Sequence, residues 1–516
     1  MSNIRILWAD DEIEMLKPQI LFLQEKGYEV EPVSNGQDAL DHCMDPEINL
    51  IFLDEMMPGL SGLETLQKIK EKRPNIPIVM ITKNETENLM EEAIGSQISD
   101  YLIKPVKSQQ ILLTIKKLTD NKRLVNERTD QSYQREFQNI FFSLQDNLNS
   151  ATWIDLYQKL VYWELQLDKA GASGMKEVLQ SQKTEANTEF GKFIDKHYMG
   201  WLGNQSKDAP IMSHTLMRTK VFPLLEKDVP VFMIVIDNLR YDQYKTIEPL
   251  FAEMFKLVEE SCYFSMLPTA TQFARNAIFA GLLPSEIQKR MPSHWVNDDE
   301  EGGKNMHEED FLKDNIVRNR LDIKFSYTKV VNHMEGKTLQ DNILNLMNND
   351  LNVIVYNFVD MLSHARTEME VLKELASDET AYRSITRSWF DHSPLFTALK
   401  KIAEKKVKVI ITTDHGTIRV NSPSKVIADR NATTNLRYKS GKNLQFNKKD
   451  VLEVKSPEAA GLPRNNVSSS YIFAKGDSFF AYPNNYNYYV NYFKNTFQHG
   501  GISLEEMIIP FAVYKT

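Results

Sequence analysis

The sequence predicts an α/β protein in which a parallel-sheet domain and a second α/β domain are joined by a helical connector. Three observations carry this expectation. Residues 4–120 alternate short apolar runs with amphipathic stretches, the pattern of strands each followed by a helix. After Asp120 the strand runs stop and apolar residues recur at helical spacing. Beyond residue 220 the strand runs return, and three of them deliver an aspartate at or near their carboxyl ends.

Composition bounds the function. A chain of 516 residues is too long for one core, and about one domain per 150 residues gives roughly three. The net charge of -9 and the pI near 5.7 argue against a broad basic field for gripping nucleic acid, so a polyanionic substrate needs local help such as metal ions. Cys43 and Cys262 lie far apart without CxxC spacing, which fits core residues in a reducing compartment. "MSNIRILWADDE" is no leader peptide, and nowhere do 18 apolar residues run together, so the expectation is a cytoplasmic protein without a membrane span.

In the first part the strands read "IRILWA", "EVEPVS", "INLIFLD", "PIVMIT" and "DYLIK". The helices read "EMLKPQILFLQEKG", "GQDALDHCM", "GLETLQKIKEK", "NLMEEAIGS" and "SQQILLTIKKLTD". Five such pairs predict a five-stranded parallel sheet covered on both faces, with ligands at the carboxyl ends of the strands. Those ends hold Asp10 and Asp11, Asp54, Thr82, and Lys104 before Pro105. Three carboxylates there suit a hard divalent cation, normally Mg2+. The stretch resembles the receiver domain of two-component response regulators, a flavodoxin-like fold, over residues 1–120. The resemblance implies that Asp54, in "IFLDEMMPGLSG", is the phosphoacceptor and that Asp10, Asp11, Asp54 and the Met56 carbonyl hold Mg2+. It also implies that Thr82 and Lys104 contact the phosphoryl group, and that Tyr101 is the aromatic switch. The face carrying Tyr101 and the last helix would then form a homodimer on phosphorylation.

Residues 121–205 predict a small helical bundle. "NKRLVNERTDQSYQREFQNIFFSLQDNL" spaces Phe137, Ile140, Phe141 and Leu144 along one stripe, and "ATWIDLYQKLVYWELQLDKA" does so with Leu156, Leu160, Trp163 and Leu167. Gly171 and Gly174 punctuate before "MKEVLQSQKTEANTEFGKFIDKHYMGWL". Trp153, Tyr162 and Trp163 read as core packing.

Residues 206–516 predict the second α/β domain. "VPVFMIVIDNLR" ends at Asp237, "LNVIVYNFVDMLSH" near Asp360 and "VKVIITTDHG" at Asp414. Acids gathered at one sheet edge repel and desolvate unless cations neutralise them. His364 follows Asp360 by four residues, His415 adjoins Asp414, and His499 lies in "FQHGG". Mixed Asp/His ligation suits zinc better than Mg2+ or Ca2+, and two sets of three ligands suit two ions. This arrangement resembles the alkaline phosphatase superfamily, in particular its PglZ domain. The resemblance implies one zinc at Asp237, Asp414 and His415, and a second at Asp360, His364 and His499. It implies a Thr or Ser nucleophile opening a helix; in "LPTATQFARNAIFAGLLP" Thr271 matches best, with Thr269 as rival and Arg275 as candidate phosphate clamp. The insertion 292–310, "PSHWVNDDEEGGKNMHEED", matches no motif.

Over its whole length the chain resembles PorX-type response regulators. That resemblance implies a sensor histidine kinase as partner, a role in type IX secretion, and contact with secretion machinery or a sigma factor. The leading expectation is a phosphorylation-controlled, zinc-dependent phosphodiesterase acting on nucleotides or oligonucleotides. The alternative is a signalling adaptor with structural metals. A DNA-binding regulator fits worse, since the sequence has neither a helix-turn-helix signal nor a basic stripe.

Overall fold

The first strand, β1 (Arg5–Ala9), is buried along nearly its whole length and sends successive side chains to opposite faces of a sheet. It is followed by β2 (Glu29–Val33), β3 (Ile48–Asp54), β4 (Ile78–Thr82) and β5 (Asp100–Ile103), all parallel, in the order β2-β1-β3-β4-β5. The period of two is visible in the core. Leu7, Ala9, Ile51, Leu53, Ile78 and Met80 fill one face, while Ile6, Trp8, Leu50, Phe52, Val79 and Ile81 fill the other. Strand order reverses between β1 and β3, so the acids at their carboxyl ends become neighbours.

The computed structural model describes residues 4–83, 98–170, 173–202, 209–297, 303–368, 378–429, 432–464 and 468–516, with the side chains of 119–131, 173–174 and 364–368 outside that description. The expected helix "NLMEEAIGS" lies outside the described residues. By its internal contacts the chain divides into one unit of Met1–Tyr133 with Ala170–Ala172, and a second of Gln134–Lys169 with Ser173–Thr516.

The connector differs from expectation at its start. The sequence reading ended the last receiver helix at Asp120 and began a new one after it. Instead a single helix runs Ser108–Gln145. No Gly or Pro interrupts "LTDNKRLVNERTDQ", so nothing in the chain ends the helix. Two further helices, Ser150–Ala170 and Ser173–Leu202, follow. Trp153 is buried and its ring lies 5.2 Å from that of Phe190. Tyr162, expected in the core, is 54% exposed, because it falls beside the buried stripe of Leu156, Leu160 and Leu167 rather than on it.

In the second unit the main sheet has the order β7 (Lys256–Phe264), C-terminal strand (Ile508–Lys515), β10 (Lys408–Thr412), β6 (Val231–Ile236), β9 (Leu351–Tyr356), β8 (Phe325–Val330). Strands β10, β6, β9 and β8 run parallel, and the C-terminal strand is antiparallel to β10 and β7. Central strands β6 and β9 are buried at every residue, as a sheet covered on both faces requires. Cys43 and Cys262 are buried free thiols. Among the described residues no helix is long and apolar enough to cross a membrane.

A buried ionic network joins the connector helices to this sheet domain. Arg383 Nη1 lies 2.8 Å from Glu164 Oε1 and 2.8 Å from Asp242 Oδ2, and Nη2 pairs with Asp168. Lys183 Nζ lies 2.7 Å from Glu164 Oε2. Burial works to raise the Glu164 carboxyl, but Lys183 and Arg383 outweigh it and hold it well below the usual range. Two tests follow from this geometry. Arg383→Met should destabilise the chain by about 3–5 kcal/mol in denaturant unfolding, because three carboxylates lose their shared partner. Because the folded Glu164 is depressed, its contribution is complete above the ordinary glutamate value of about 4.3 and fades as pH falls below it. The penalty of Arg383→Met should therefore shrink in acid; a penalty independent of pH would contradict this reading.

Candidate functional site

At the carboxyl edge of the second sheet, β10 and β9 flank β6, so the residues that follow these three strands meet. Asp237 comes directly after β6, and Asp414 and His415 shortly after β10. Asp360 was expected near a strand end; β9 stops at Tyr356 and Asp360 lies in the first turn of the next helix, Phe358–Glu368. Asp237, Asp414 and His415 are buried and each offers a ligand atom within 4.8 Å of the others. His415 Nε2 lies 3.9 Å from Asp237 Oδ1 and 3.8 Å from Asp414 Oδ2.

Electrostatics makes this edge costly without a cation. Burial, and then the charge of Asp237, pushes the Asp414 carboxyl well above its usual value. Burial acts the same way on Asp237, but Arg275 and His415 outweigh it and hold that carboxyl low. Asp414 Oδ2 is buried without a hydrogen-bond partner. Burial pushes His415 down to about 4, so its ring is neutral at pH 7. Its Nδ1 lies 3.2 Å from the Gly416 carbonyl; donating a proton there leaves the Nε2 lone pair facing the two acids. A neutral imidazole, two carboxylates and an orphaned carboxylate oxygen form a donor set that fits a zinc ion. Gly416 is required for this packing, since a Cβ there would lie 2.1 Å from the Glu505 carbonyl oxygen.

The second set adjoins the first. The rings of His415 and His499 stack with centroids 4.4 Å apart, and His499 Nε2 lies 3.8 Å from Asp360 Oδ1. His499 Nδ1 is 3.2 Å from the Thr269 carbonyl, which aims Nε2 at the acid as in His415. His364 lies on the Asp360 helix, with its side chain outside the described residues.

The two threonines have different surroundings. Thr269 is fully buried; its hydroxyl donates to the Gly501 carbonyl at 2.9 Å and accepts from the Gly500 N–H at 3.0 Å. Thr271 opens the helix Thr271–Ala280, which has no side-chain cap, and its Oγ1 lies 3.1 Å from His415 Nε2 and 3.4 Å from Asp237 Oδ1. Arg275 differs from its expected role as a phosphate clamp. It is 1% exposed, with Nη1 2.6 Å from Asp237 Oδ2 and 3.7 Å from Asp414 Oδ2, and Nε on Glu308. In this arrangement it clamps carboxylates.

Sequence reasoning missed several groups here. Asn238 holds a left-handed φ of 66°, which Asn tolerates well; its N–H lies 3.3 Å from Asp414 Oδ1 and its Nδ2 3.4 Å from Asp360 Oδ1, linking the two sets. Asn directly after Asp237 in "DNL" was the available signal. The insertion supplies Glu308 to Arg275, and Asn305 Nδ2 donates to the Thr271 carbonyl at 3.1 Å. No motif marks either residue.

In the receiver unit Asp10 and Asp54 are buried, and Lys104 Nζ lies 2.9 Å from an oxygen of each. Asp11 is exposed, and the three acids offer ligand atoms within 4.8 Å of one another, a donor set that fits Mg2+. Burial pushes the Asp54 carboxyl up, with Asp10 adding to it and Lys104 opposing. Thr82 Oγ1 donates to Glu55, Met56 is exposed, and Tyr101 on β5 is 41% exposed.

Comparison with known proteins assigns the class. A model of the PglZ alkaline phosphatase-like domain of BREX systems matches residues 216–514, one of the response regulator receiver domain matches 6–116, and one of the PorX response regulator linker domain matches 123–202. The fold and site define a response regulator whose output unit is an alkaline phosphatase-like domain, of a metallo-hydrolase superfamily. The chain belongs to the PglZ family, and with its receiver and linker it has the PorX-type architecture.

Two curated relatives each match 23% of this chain. The transcriptional regulatory protein ResD of Bacillus subtilis is 31% identical over 117 residues, 23% of this chain and 48% of that protein. SrrA of Staphylococcus aureus is 32% identical over 118 residues, again 23% and 48%. The chain thus spans about half the length of these relatives. A CheY-like receiver domain protein from Methanospirillum hungatei is similar at 28% identity over 23% of this chain and 96% of its own, with a TM-score of 0.23.

Proposed function

We propose that this chain is a response regulator whose output unit hydrolyses phosphodiesters, with nucleotides or oligonucleotides as the substrate class, under control of phosphorylation at Asp54. The receiver implies a sensor histidine kinase as partner. The PorX-type architecture points to type IX secretion as the regulated process, with a secretion-machinery protein or a sigma factor as a further partner, in the cytoplasm.

One observation carries the enzymatic reading. The Thr271 hydroxyl, at the uncapped start of its helix, lies within 3.4 Å of both Asp237 and His415, two members of the trio whose third, Asp414, has an orphaned oxygen. A pure binding module has no use for a hydroxyl placed there. Asp237, Asp414 and His415 would hold one zinc ion, and Asp360, His364 and His499 another. Bound zinc polarises phosphoryl oxygens and eases loss of a hydroxyl proton. Asp10, Asp11 and Asp54 would hold Mg2+ in the receiver.

The chain's own groups then divide the work. Thr271 Oγ forms the bond to phosphorus while the ester bond to the leaving alcohol breaks. Water then cleaves the Thr271 phosphoester and restores the hydroxyl. Backbone N–H groups of the first helical turn are placed to meet phosphoryl oxygens. Arg275 is a positioning residue that fixes Asp237, and Thr269 fixes the loop of Gly500 and orients His499.

Thr271→Val should lower hydrolysis of bis-nitrophenyl phosphate by roughly a thousandfold or more while leaving zinc content and thermal unfolding near the parent's. Thr269→Val should act through stability, costing about 1–3 kcal/mol, since the Gly500 N–H loses its buried acceptor. A Thr271→Val chain that turns over like the parent sinks the assignment. For the switch, beryllofluoride with Mg2+ should shift the parent from monomer to dimer in sedimentation, and Asp54→Ala should not respond. A parent that stays monomeric with the mimic bound removes pairing from the account.

A further inference from the structure

Two of the ten histidines, His294 and His307, lie in the insertion between the helices Pro284–Arg290 and Glu308–Arg318, away from both ligand sets described above. The insertion is anchored at both ends. Trp295 is 6% exposed and sets its ring edge-on to Phe273 of the Thr271 helix at 5.9 Å. At the other end Asn305 holds the Thr271 carbonyl and Glu308 holds Arg275.

Between these anchors three potential ligands converge. The His294 and His307 rings lie with centroids 4.4 Å apart, and Asp310 faces both. His294 Nε2 is 3.5 Å and His307 Nδ1 is 3.3 Å from the same oxygen, Asp310 Oδ2, and the three residues offer ligand atoms within 4.8 Å of one another. An N–H···O hydrogen bond normally spans about 2.7–3.2 Å. The His307–Asp310 contact is itself a long hydrogen bond, and both separations match the ligand–ligand edge of about 3.4 Å that a tetrahedral zinc with bonds of about 2.1 Å requires. Ser293 Oγ lies 3.0 Å from His294 Nδ1, which leaves Nε2 as the ring nitrogen turned toward the Asp310 carboxylate. His294 and His307 are partly exposed and Asp310 is exposed, which leaves room for solvent to complete the coordination.

We propose that His294, His307 and Asp310 form a zinc site separate from the sheet edge, stapling the two ends of the insertion together and so steadying Asn305 and Glu308 against the Thr271 helix. Two imidazoles with one carboxylate favour zinc over Mg2+ or Ca2+. The site is structural: among the described residues no contact joins its three members to Thr271 or to the acids of the sheet edge.

The test is zinc stoichiometry of the full chain, stripped with a chelator, reloaded with Zn2+, freed of excess by gel filtration and measured by elemental analysis. The combined variant His294→Ala/His307→Ala should hold about one equivalent less than the parent, however many ions the sheet edge binds. A second arm uses a chain with Asp237→Asn, Asp360→Asn and Asp414→Asn. It should retain about one equivalent of Co2+ with the visible absorption of four-coordinate cobalt, and adding the two histidine changes should abolish it. Equal zinc content in parent and histidine variant overturns the proposal, because it leaves the trio as a hydrogen-bonded cluster only. The first arm decides the matter if the aspartate variants fail to fold. A parent that shows the one-equivalent difference but hydrolyses no phosphodiester would count against the proposed phosphodiesterase and leave this site standing.

Discussion

The output unit is organised around two aspartates buried side by side. Asp237 and Asp414 lie at the ends of adjacent parallel strands, where topology brings neighbouring loops together and where little water screens their repulsion. Burying two carboxylates costs several kcal/mol for each unless opposite charge compensates. The compensation is built from distant parts of the chain: Arg275 from the Thr271 helix reaches both acids, Glu308 from the insertion steadies Arg275, and the Asn238 and His415 N–H groups lie 3.3 and 3.1 Å from Asp414 Oδ1. Even so, one oxygen of Asp414 has no hydrogen-bond partner. That oxygen and His415 Nε2, 3.8 Å from it, form a donor set that fits a cation, and the Thr271 hydroxyl lies 3.1 Å from the same nitrogen.

The connector is part of the same construction. Asn187, on the helix Ser173–Leu202, accepts from the Leu504 N–H at 2.8 Å and donates to Glu505 at 3.0 Å, and the Glu505 carbonyl is the group that leaves no space for a Cβ at residue 416. From the same helix Tyr198 OH accepts from the Leu267 N–H at 2.7 Å, just ahead of the Thr269–Thr271 segment. The connector therefore supports both the loop carrying His415 and the segment carrying the hydroxyl. The unbroken helix Ser108–Gln145 is the covalent link from the receiver to these helices. Any effect of phosphorylation on the output is limited to the free-energy difference that such contacts feel between the two receiver states.

Much of this was legible in the sequence, for a physical reason. A fully buried parallel strand is a short run of Val, Ile, Leu and Phe, and an acid just past such a run stands out; Asp54, Asp237 and Asp414 all have that signature. Asp360 was found but misplaced by part of a turn, since an apolar strand and the apolar face of the next helix merge in "VIVYNFVDML". The continuous helix was missed because helical periodicity shows no seam where one stretch of helix formers meets another. Choosing between Thr269 and Thr271 took three-dimensional partners, as both sit in the same "TAT". Arg275, Asn305 and Glu308 were misread or unread because their meaning lies in pairing across the fold, which spacing along the chain does not encode.

The most direct test of the account is zinc-edge anomalous diffraction from crystals of the zinc-loaded chain. The account predicts a peak within about 2.0–2.3 Å of ligand atoms of Asp237, Asp414 and His415, and a neighbouring peak at Asp360 and His499. No anomalous density beside Asp414 Oδ2 in a fully loaded crystal, with Arg275 still the sole cation between the two aspartates, would contradict it.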